Sequence, residues 1–318
     1  MLRNLNFWDE YKDYFLLSQA NKTLKWSGPD NEETYKKVIQ SKVKTYSFEA
    51  FSYTRNSLGF RSMEFDNSDP VKILYGGCSI TEGVGLPIDH TWQAFLNERI
   101  SHEIEKPVKM YNIGIGGLSI DAICRYAYIT VKNKTFLPDV VILLLPSPAR
   151  NELVKLDRFS GASMYNFIPN FVAYDDPEIK RIHSNTIKTM SMRQRVHDAF
   201  QNLLMLQGIL DLHNIPLFVS TWDRSNFVVG PAGAQTNLGE CLKTYAPKSL
   251  RSCFIDATMI FDRDSHTPNF ELKFPFGIGR DGMHPGPNSH WNFAKDAFAI
   301  LKEKEQFSNL LNKWKNHA

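Results

Sequence analysis

The hexapeptide V-V-I-L-L-L, Val140 to Leu145, constrains the fold of this chain more than any other stretch. Six consecutive aliphatic residues leave no polar face. A strand with one wet face alternates; a strand covered on both faces does not, and such strands belong to parallel sheets packed between helices. The run is also far too short to span a bilayer, which takes about 20 apolar residues in a helix. The neighbouring segments keep the same rhythm. Val71 to Tyr75, Val108 to Ile113 and Pro216 to Thr221 read as further strands, with Cys253 to Ile255 as a short fifth. Thr91 to Ile104, Ile120 to Val131, Ile187 to Leu212 and Asn288 to Trp314 read as helices between and after them. Strand and helix in alternation predict an α/β fold, a parallel sheet with helices on both faces.

Two segments stand outside the rhythm. Residues 1–70 are polar and aromatic, and read as an N-terminal helix followed by irregular or β structure. Residues 146–185, rich in Pro, Asn, Asp and aromatics, read as a long inserted loop, and 223–248 as another. Long loops in a compact domain are usually functional or disordered. The chain has 318 residues and is 42% hydrophobic, enough for one or two domains with a real core. With 37 basic and 34 acidic residues the net charge is +3, and no basic block marks a nucleic-acid partner. The scattered charges read as a solvated surface. The N-terminus is charged throughout, without the apolar core of a secretory signal. Four cysteines, Cys78, Cys124, Cys241 and Cys253, are widely spaced with no C-x-x-C, which argues against a zinc knuckle or a disulfide framework. The expectation is a soluble cytoplasmic protein with no membrane span, a virion component being the alternative. Nothing in the sequence sets an oligomeric state.

In open α/β sheets, ligands bind beyond the carboxyl ends of the strands. Three segments follow strands here: G-G-C-S-I-T-E-G from Gly76, I-G-I-G-G-L-S from Ile113 and P-S-P-A-R-N-E from Pro146. The first is no P-loop, because Val84 stands where the phosphate-binding lysine is needed. The second is half a dinucleotide fingerprint, with Ser119 in place of its last glycine. Around Ser79 the sequence approaches G-x-S-x-G, but Thr81 replaces the final glycine. A serine nucleophile needs a base. R-D-G-M-H-P, Arg280 to Pro285, offers Asp281 and His284 three residues apart in a Gly/Pro-rich loop, where a turn can fold the carboxylate onto the imidazole and hold one tautomer. Taken alone, without a partner serine, that loop reads better as a turn cap beside an ordinary histidine. A metal site from Asp281, His284 and His290 is a further reading, made less attractive by the serine segment.

Together these segments resemble the SGNH hydrolase superfamily of GDSL-type esterases and acylhydrolases. G-G-C-S-I-T-E-G resembles the family's G-D-S-x-T-x-G at Ser79; Y-N-I-G-I-G-G-L-S places Gly117 at the oxyanion-hole glycine; D-G-M-H-P is similar to D-x-x-H-P. T-R-N-S-L-G-F-R-S-M-E-F (Thr54 to Phe65), H-T-W (His90 to Trp92), and His290 with Ala294 also fit. The resemblance covers roughly residues 56–301. It implies a three-layer α/β/α sandwich of flavodoxin-like type, with residues 1–70 an extension packed on a catalytic domain of 71–318 that carries an insertion at about 146–185. It also implies a serine esterase: Ser79 as nucleophile, His284 as base, Asp281 as orienter, and an oxyanion hole from the N–H groups of Ser79 and Gly117. Neither cofactor nor metal is implied. Two residues depart from the pattern. Cys78 replaces the Asp before the serine, and Pro148 stands where the family carries an oxyanion-hole Asn. Proline offers no donor, so Arg150 or Asn151 is expected to substitute. The expected substrate is a small-molecule or glycan ester with a short acyl group, O-acetyl on a carbohydrate for example. The alternatives are a carbohydrate O-acyltransferase using the same triad, and a degraded, non-catalytic binding protein with aromatic contacts from Tyr165 to Tyr174.

Overall fold

The computed structural model describes residues 19–40, 51–67, 71–132, 136–157, 161–167, 177–189, 191–225, 227–229, 234–259 and 277–316. The expected helix at the N-terminus falls partly on residues 1–18, and the aromatic stretch Tyr165 to Tyr174 largely on 168–176, outside the described residues. In chain order the elements are β1 (Thr23–Leu24), α1 (Glu32–Gln40), β2 (Tyr53–Thr54), β3 (Lys72–Gly77), α2 (Ser79–Glu82), α3 (Trp92–Ile104), β4 (Lys109–Asn112), α4 (Ile120–Lys132) and β5 (Val140–Leu145). They continue as β6 (Asn151–Asp157), β7 (Gly161–Phe167), α5 (Pro177–Thr189), α6 (Met192–Asp211), β8 (Leu217–Thr221), β9 (Phe227–Val229), β10 (Ala234–Thr236), α7 (Leu238–Thr244), α8 (Lys248–Cys253), α9 (Pro287–Glu303) and α10 (Glu305–Asn316).

The central sheet has the order β4-β3-β5-β8, and every pairing in it is parallel. A parallel bridge between Val219 and Phe254 adds a rudimentary fifth strand at the β8 edge. All six residues of β5 are buried, as a strand covered on both faces must be. Side-chain alternation along β3 sorts the helices into two layers. Tyr75 meets Trp92 of α3 edge to face, and Trp92 meets Phe293 of α9 likewise. Phe218, in register with Ile142 and so with Tyr75, packs on Phe307 of α10. On the other face Tyr111, the register partner of Leu74, stacks with Phe65, which joins through Phe60 to Tyr126 of α4. Helix α6 packs beside α4 in that layer. This is the expected α/β/α sandwich with a parallel sheet.

The chain leaves β3 to one side, reaching β4 through α3, then crosses back to β5 through α4. The change of direction puts a crevice at the carboxyl end of β3.

Several expected boundaries move. The segment 146–185 is not a loop: β6 and β7 form an antiparallel hairpin, and α5 follows. Residues 223–248 likewise contain the β9–β10 pair and α7. The expected helix Ile187 to Leu212 is two helices, because Ser191 caps the N-terminus of α6 by accepting the Gln194 N–H at 3.2 Å. The closing helix is also two, broken at Lys304, whose backbone turns extended (φ −82°, ψ 118°). The break lets Phe307 and Trp314 turn onto the β8 edge of the core. All four cysteines are buried and free. No helix among the described residues is long and apolar enough to cross a membrane.

Candidate active site

Ser79 opens α2, immediately beyond β3. Gly77 makes the sharp exit possible: a Cβ there would lie 2.0 Å from Thr81 Oγ1 and 2.8 Å from the Leu144 carbonyl oxygen. Helix α2 is only four residues long, so it is fixed from outside. The Thr81 carbonyl accepts from Gln93 Nε2 at 2.5 Å and from Asn112 Nδ2 at 2.9 Å, and Trp92 Nε1 donates to Thr81 Oγ1 at 3.2 Å. The short turn is thereby tied to α3 and to the end of β4.

The structure brings Ser79 together with both residues of the distant loop. His284 Nε2 lies 2.8 Å from Ser79 Oγ, and His284 Nδ1 lies 2.5 Å from Asp281 Oδ2. The other carboxylate oxygen of Asp281 accepts the backbone N–H groups of Met283 at 3.2 Å and His284 at 3.1 Å. Asp281 therefore does both things the sequence allowed: it closes the turn and it orients the ring. Burial pushes the Asp281 carboxyl up, but the hydrogen bond and charge of His284, with those two N–H groups, outweigh it and hold the acid below its ordinary value of 3.8. The carboxylate is buried, whereas the His284 side chain is 16% exposed and so opens to the crevice.

Gly117 adopts φ +83°, a left-handed conformation that favours glycine. Among the described residues neither its N–H nor that of Ser79 has an acceptor. Asn112 Oδ1 fixes the start of the same loop by accepting the Gly114 N–H at 2.8 Å.

At the end of β5, Pro148 is buried. Arg150 directs Nη1 to the Leu118 carbonyl at 3.5 Å, one residue beyond Gly117, and its guanidinium lies over the Trp222 ring at 5.3 Å. Trp222 in turn donates its indole N–H to Cys78 Sγ at 3.3 Å. Arg150 thus borders the Ser79 turn through two neighbours. Asn151 begins β6, paired with Phe167; its side chain lies outside the described residues. Cys78 Sγ lies 4.0 Å from Ser79 Oγ, but Cys78 is buried and its sulfur already accepts from Trp222.

His290 joins the core instead. Its Nδ1 accepts the Trp92 N–H at 2.8 Å. Burial, aided by the nearby His284 charge and opposed by a bond to the Pro285 carbonyl, lowers its pKa to about 3. Among the described residues no group of His, Cys, Asp or Glu is arranged to hold a metal ion.

Sequence reasoning missed the shell behind Ser79, His284 and Asp281, where charges taken for solvated surface are buried. Arg280 and Asp30 are both 0% exposed and form an ion pair next to Asp281. Arg61 donates from Nη1 to the Gly83 carbonyl at 2.7 Å and from Nη2 to the Leu86 carbonyl at 2.9 Å; burial lowers its pKa to about 10, still a cation at neutral pH. Arg55 pairs with Glu82 at 2.6 Å. The only sequence signal was position: Arg55 and Arg61 lie in T-R-N-S-L-G-F-R, and Arg280 directly precedes Asp281.

No family model and no curated protein matches the chain. Among solved structures it is similar to a member of the lipolytic protein G-D-S-L family from Veillonella parvula, 14% identical, covering 73% of this chain and 99% of that one, with a TM-score of 0.40. It is similar to TesA at 13% identity, covering 73% and 98%, with a TM-score of 0.38. It is similar, too, to the psychrotrophic esterase EstA from Pseudoalteromonas sp., 14% identical, covering 73% and 97%, with a TM-score of 0.36.

Proposed function

We propose that this chain is a serine esterase acting on a short acyl ester, with an O-acetylated carbohydrate as the substrate class. The observation that carries this reading is the continuous relay from Asp281 Oδ2 through His284 to Ser79 Oγ, at 2.5 and 2.8 Å. Nucleophile and base are within hydrogen-bond reach, and the base is oriented by a third group. Ser79 Oγ attacks the ester carbonyl carbon as its proton passes to His284 Nε2. Asp281 stabilises the imidazolium through Nδ1–H without itself taking the proton. The charge on the tetrahedral oxygen falls to the N–H groups of Ser79 and Gly117, with Arg150 as a third donor in place of the missing Asn. Collapse expels the alcohol, protonated by His284, and leaves an acyl group on Ser79. Water, deprotonated by the same histidine, then releases the acid.

The experiment is labelling with a fluorophosphonate probe alongside hydrolysis of p-nitrophenyl acetate. Wild type should label once and turn over, and Ser79→Ala should do neither. His284→Ala should label and hydrolyse at least about a thousandfold more slowly. Label that persists in Ser79→Ala, or unlabelled wild type, overturns the reading.

A further inference from the structure

We infer that Glu82 is the positioning residue of the oxyanion hole, and that Ser27 and Arg55 hold it there, so that these two residues of the N-terminal segment act on the active site. This rests on the esterase reading of Ser79 and Gly117. Glu82 ends the four-residue helix that Ser79 begins, and its carboxylate is buried. Oε2 accepts the backbone N–H of Gly116 at 2.6 Å. Oε1 accepts Arg55 Nη2 at 2.6 Å and Ser27 Oγ at 3.1 Å. Arg55 Nη2 also donates to Ser27 Oγ at 3.1 Å and Nη1 to the Gly59 carbonyl at 3.2 Å, so the cation is itself fixed.

The consequence concerns Gly117. The Gly116 α-carbon faces the nucleophile closely, for a Cβ on it would lie 3.9 Å from Ser79 Cβ. The Glu82–Gly116 bond therefore couples the helix bearing one N–H donor, Ser79, to the loop bearing the other, Gly117. Preorganised donors act on the transition state because they need not move during reaction. A four-residue helix and a glycine loop cannot set that separation by themselves; a charged, buried hydrogen bond can.

Both carboxylate oxygens are used as acceptors, which makes Glu82→Gln a sharp perturbation. Glutamine keeps the shape but has one acceptor oxygen, so its amide NH₂ must oppose either the Gly116 N–H or Arg55. For p-nitrophenyl acetate we expect kcat to fall about 10²-fold with KM little changed. A trifluoromethyl ketone, whose adduct with Ser79 places an oxyanion in the hole, should lose affinity in parallel with kcat/KM. A role in folding alone would lower the amount of active enzyme, counted by fluorophosphonate titration, and leave kcat per labelled site intact. Ser27→Ala, the milder variant, removes one bond to Oε1 and should lower kcat per site three- to tenfold, roughly. If wild type neither labels nor turns over, the esterase reading fails. If wild type is active while Glu82→Gln keeps kcat per site and inhibitor affinity within threefold, this inference fails. If Glu82→Gln does not fold, an unchanged kcat per site in Ser27→Ala overturns it.

Discussion

Asp30→Asn is expected to remove a large part of the stability of this fold. Asp30 and Arg280 lie 250 residues apart and both are 0% exposed. Arg280 Nε donates to Oδ1 at 2.9 Å and Nη2 to Oδ2 at 2.5 Å, a fork that matches the carboxylate. Tyr53, its phenol held protonated by burial and by Asp30, donates to Oδ2 at 2.5 Å and accepts the Gly85 N–H at 2.9 Å. The guanidinium lies 3.7 Å from the Phe51 ring centroid and 4.3 Å from that of Trp26. Asparagine preserves the shape and removes the charge, which leaves a buried cation uncompensated. Breaking a buried pair in this way costs about 3–5 kcal/mol, against a total stability of roughly 5–15 kcal/mol for a typical domain. Urea unfolding followed by tryptophan fluorescence at neutral pH measures the loss. Arg280→Met and the double variant complete a cycle. Removing both charges leaves nothing stranded, so the double variant should be less destabilised than the sum of the singles by at least about 2 kcal/mol. A cost below about 1 kcal/mol for Asp30→Asn, or additivity in the cycle, would refute the claim that this pair must be satisfied as a unit.

Two other expectations follow from the site. Arg150→Ala should lower kcat for an acetyl ester about 10²- to 10³-fold with KM nearly unchanged, the effect of losing one oxyanion donor; steady-state kinetics giving a kcat within threefold of wild type would remove Arg150 from the hole. His290, with its pKa lowered from 6.5 to about 3, makes stability depend on pH. The unfolded chain takes up a proton below 6.5 that the folded one refuses until about 3, so stability present above 6.5 falls as pH drops through that window, by about 1.4 kcal/mol per pH unit. His290→Asn, which retains an acceptor for the Trp92 N–H, should flatten that slope when urea unfolding is compared at pH 7, 6, 5 and 4. An equal slope in wild type and variant would show that the buried ring is not the source. The Asp281 carboxylate contributes acid sensitivity only near and below 3.8, so it adds nothing to the slope between pH 6.5 and about 4.

The parts of this molecule legible in sequence are those that local chemistry dictates. A six-residue aliphatic strand cannot be wet, so β5 declared the layered sheet around it. Ser79 and the Asp281–His284 turn were legible because each has a local reason to be where it is: a glycine exit from a strand, and an i,i+3 carboxylate that closes a turn. The hairpin β6–β7 was illegible because its apolar residues break the period of two: in N-E-L-V-K-L-D Leu153 and Val154 are adjacent, and in G-A-S-M-Y-N-F Met164 and Tyr165 are, so neither segment reads as a strand with one apolar face. The start of α6 did carry a signal, the Ser191 and Gln194 of S-M-R-Q, a capping box that apolar periodicity alone passes over. The break at Lys304 had none, as neither Gly nor Pro marks it.

The buried shell behind Ser79, His284 and Asp281 was hidden for a different reason. An arginine in a polar segment is on average exposed, and only a partner brought from elsewhere in the chain makes its burial tolerable. Asp30 with Arg280, Arg55 with Glu82, and Arg61 with the carbonyls of Gly83 and Leu86 are all pairings made by the tertiary fold. Each costs desolvation that a solvated surface would not, and each is repaid only in one arrangement of the two segments. All three converge on the backs of the two loops that carry Ser79 and His284. Polar groups placed there specify geometry rather than add stability cheaply, since an apolar filling would hold the segments together without fixing their register. Asp30, Arg55 and Arg61 therefore hold the backs of the Ser79 turn and the His284 loop in one register, and within that frame Asp281, His284 and Ser79 stand 2.5 and 2.8 Å apart.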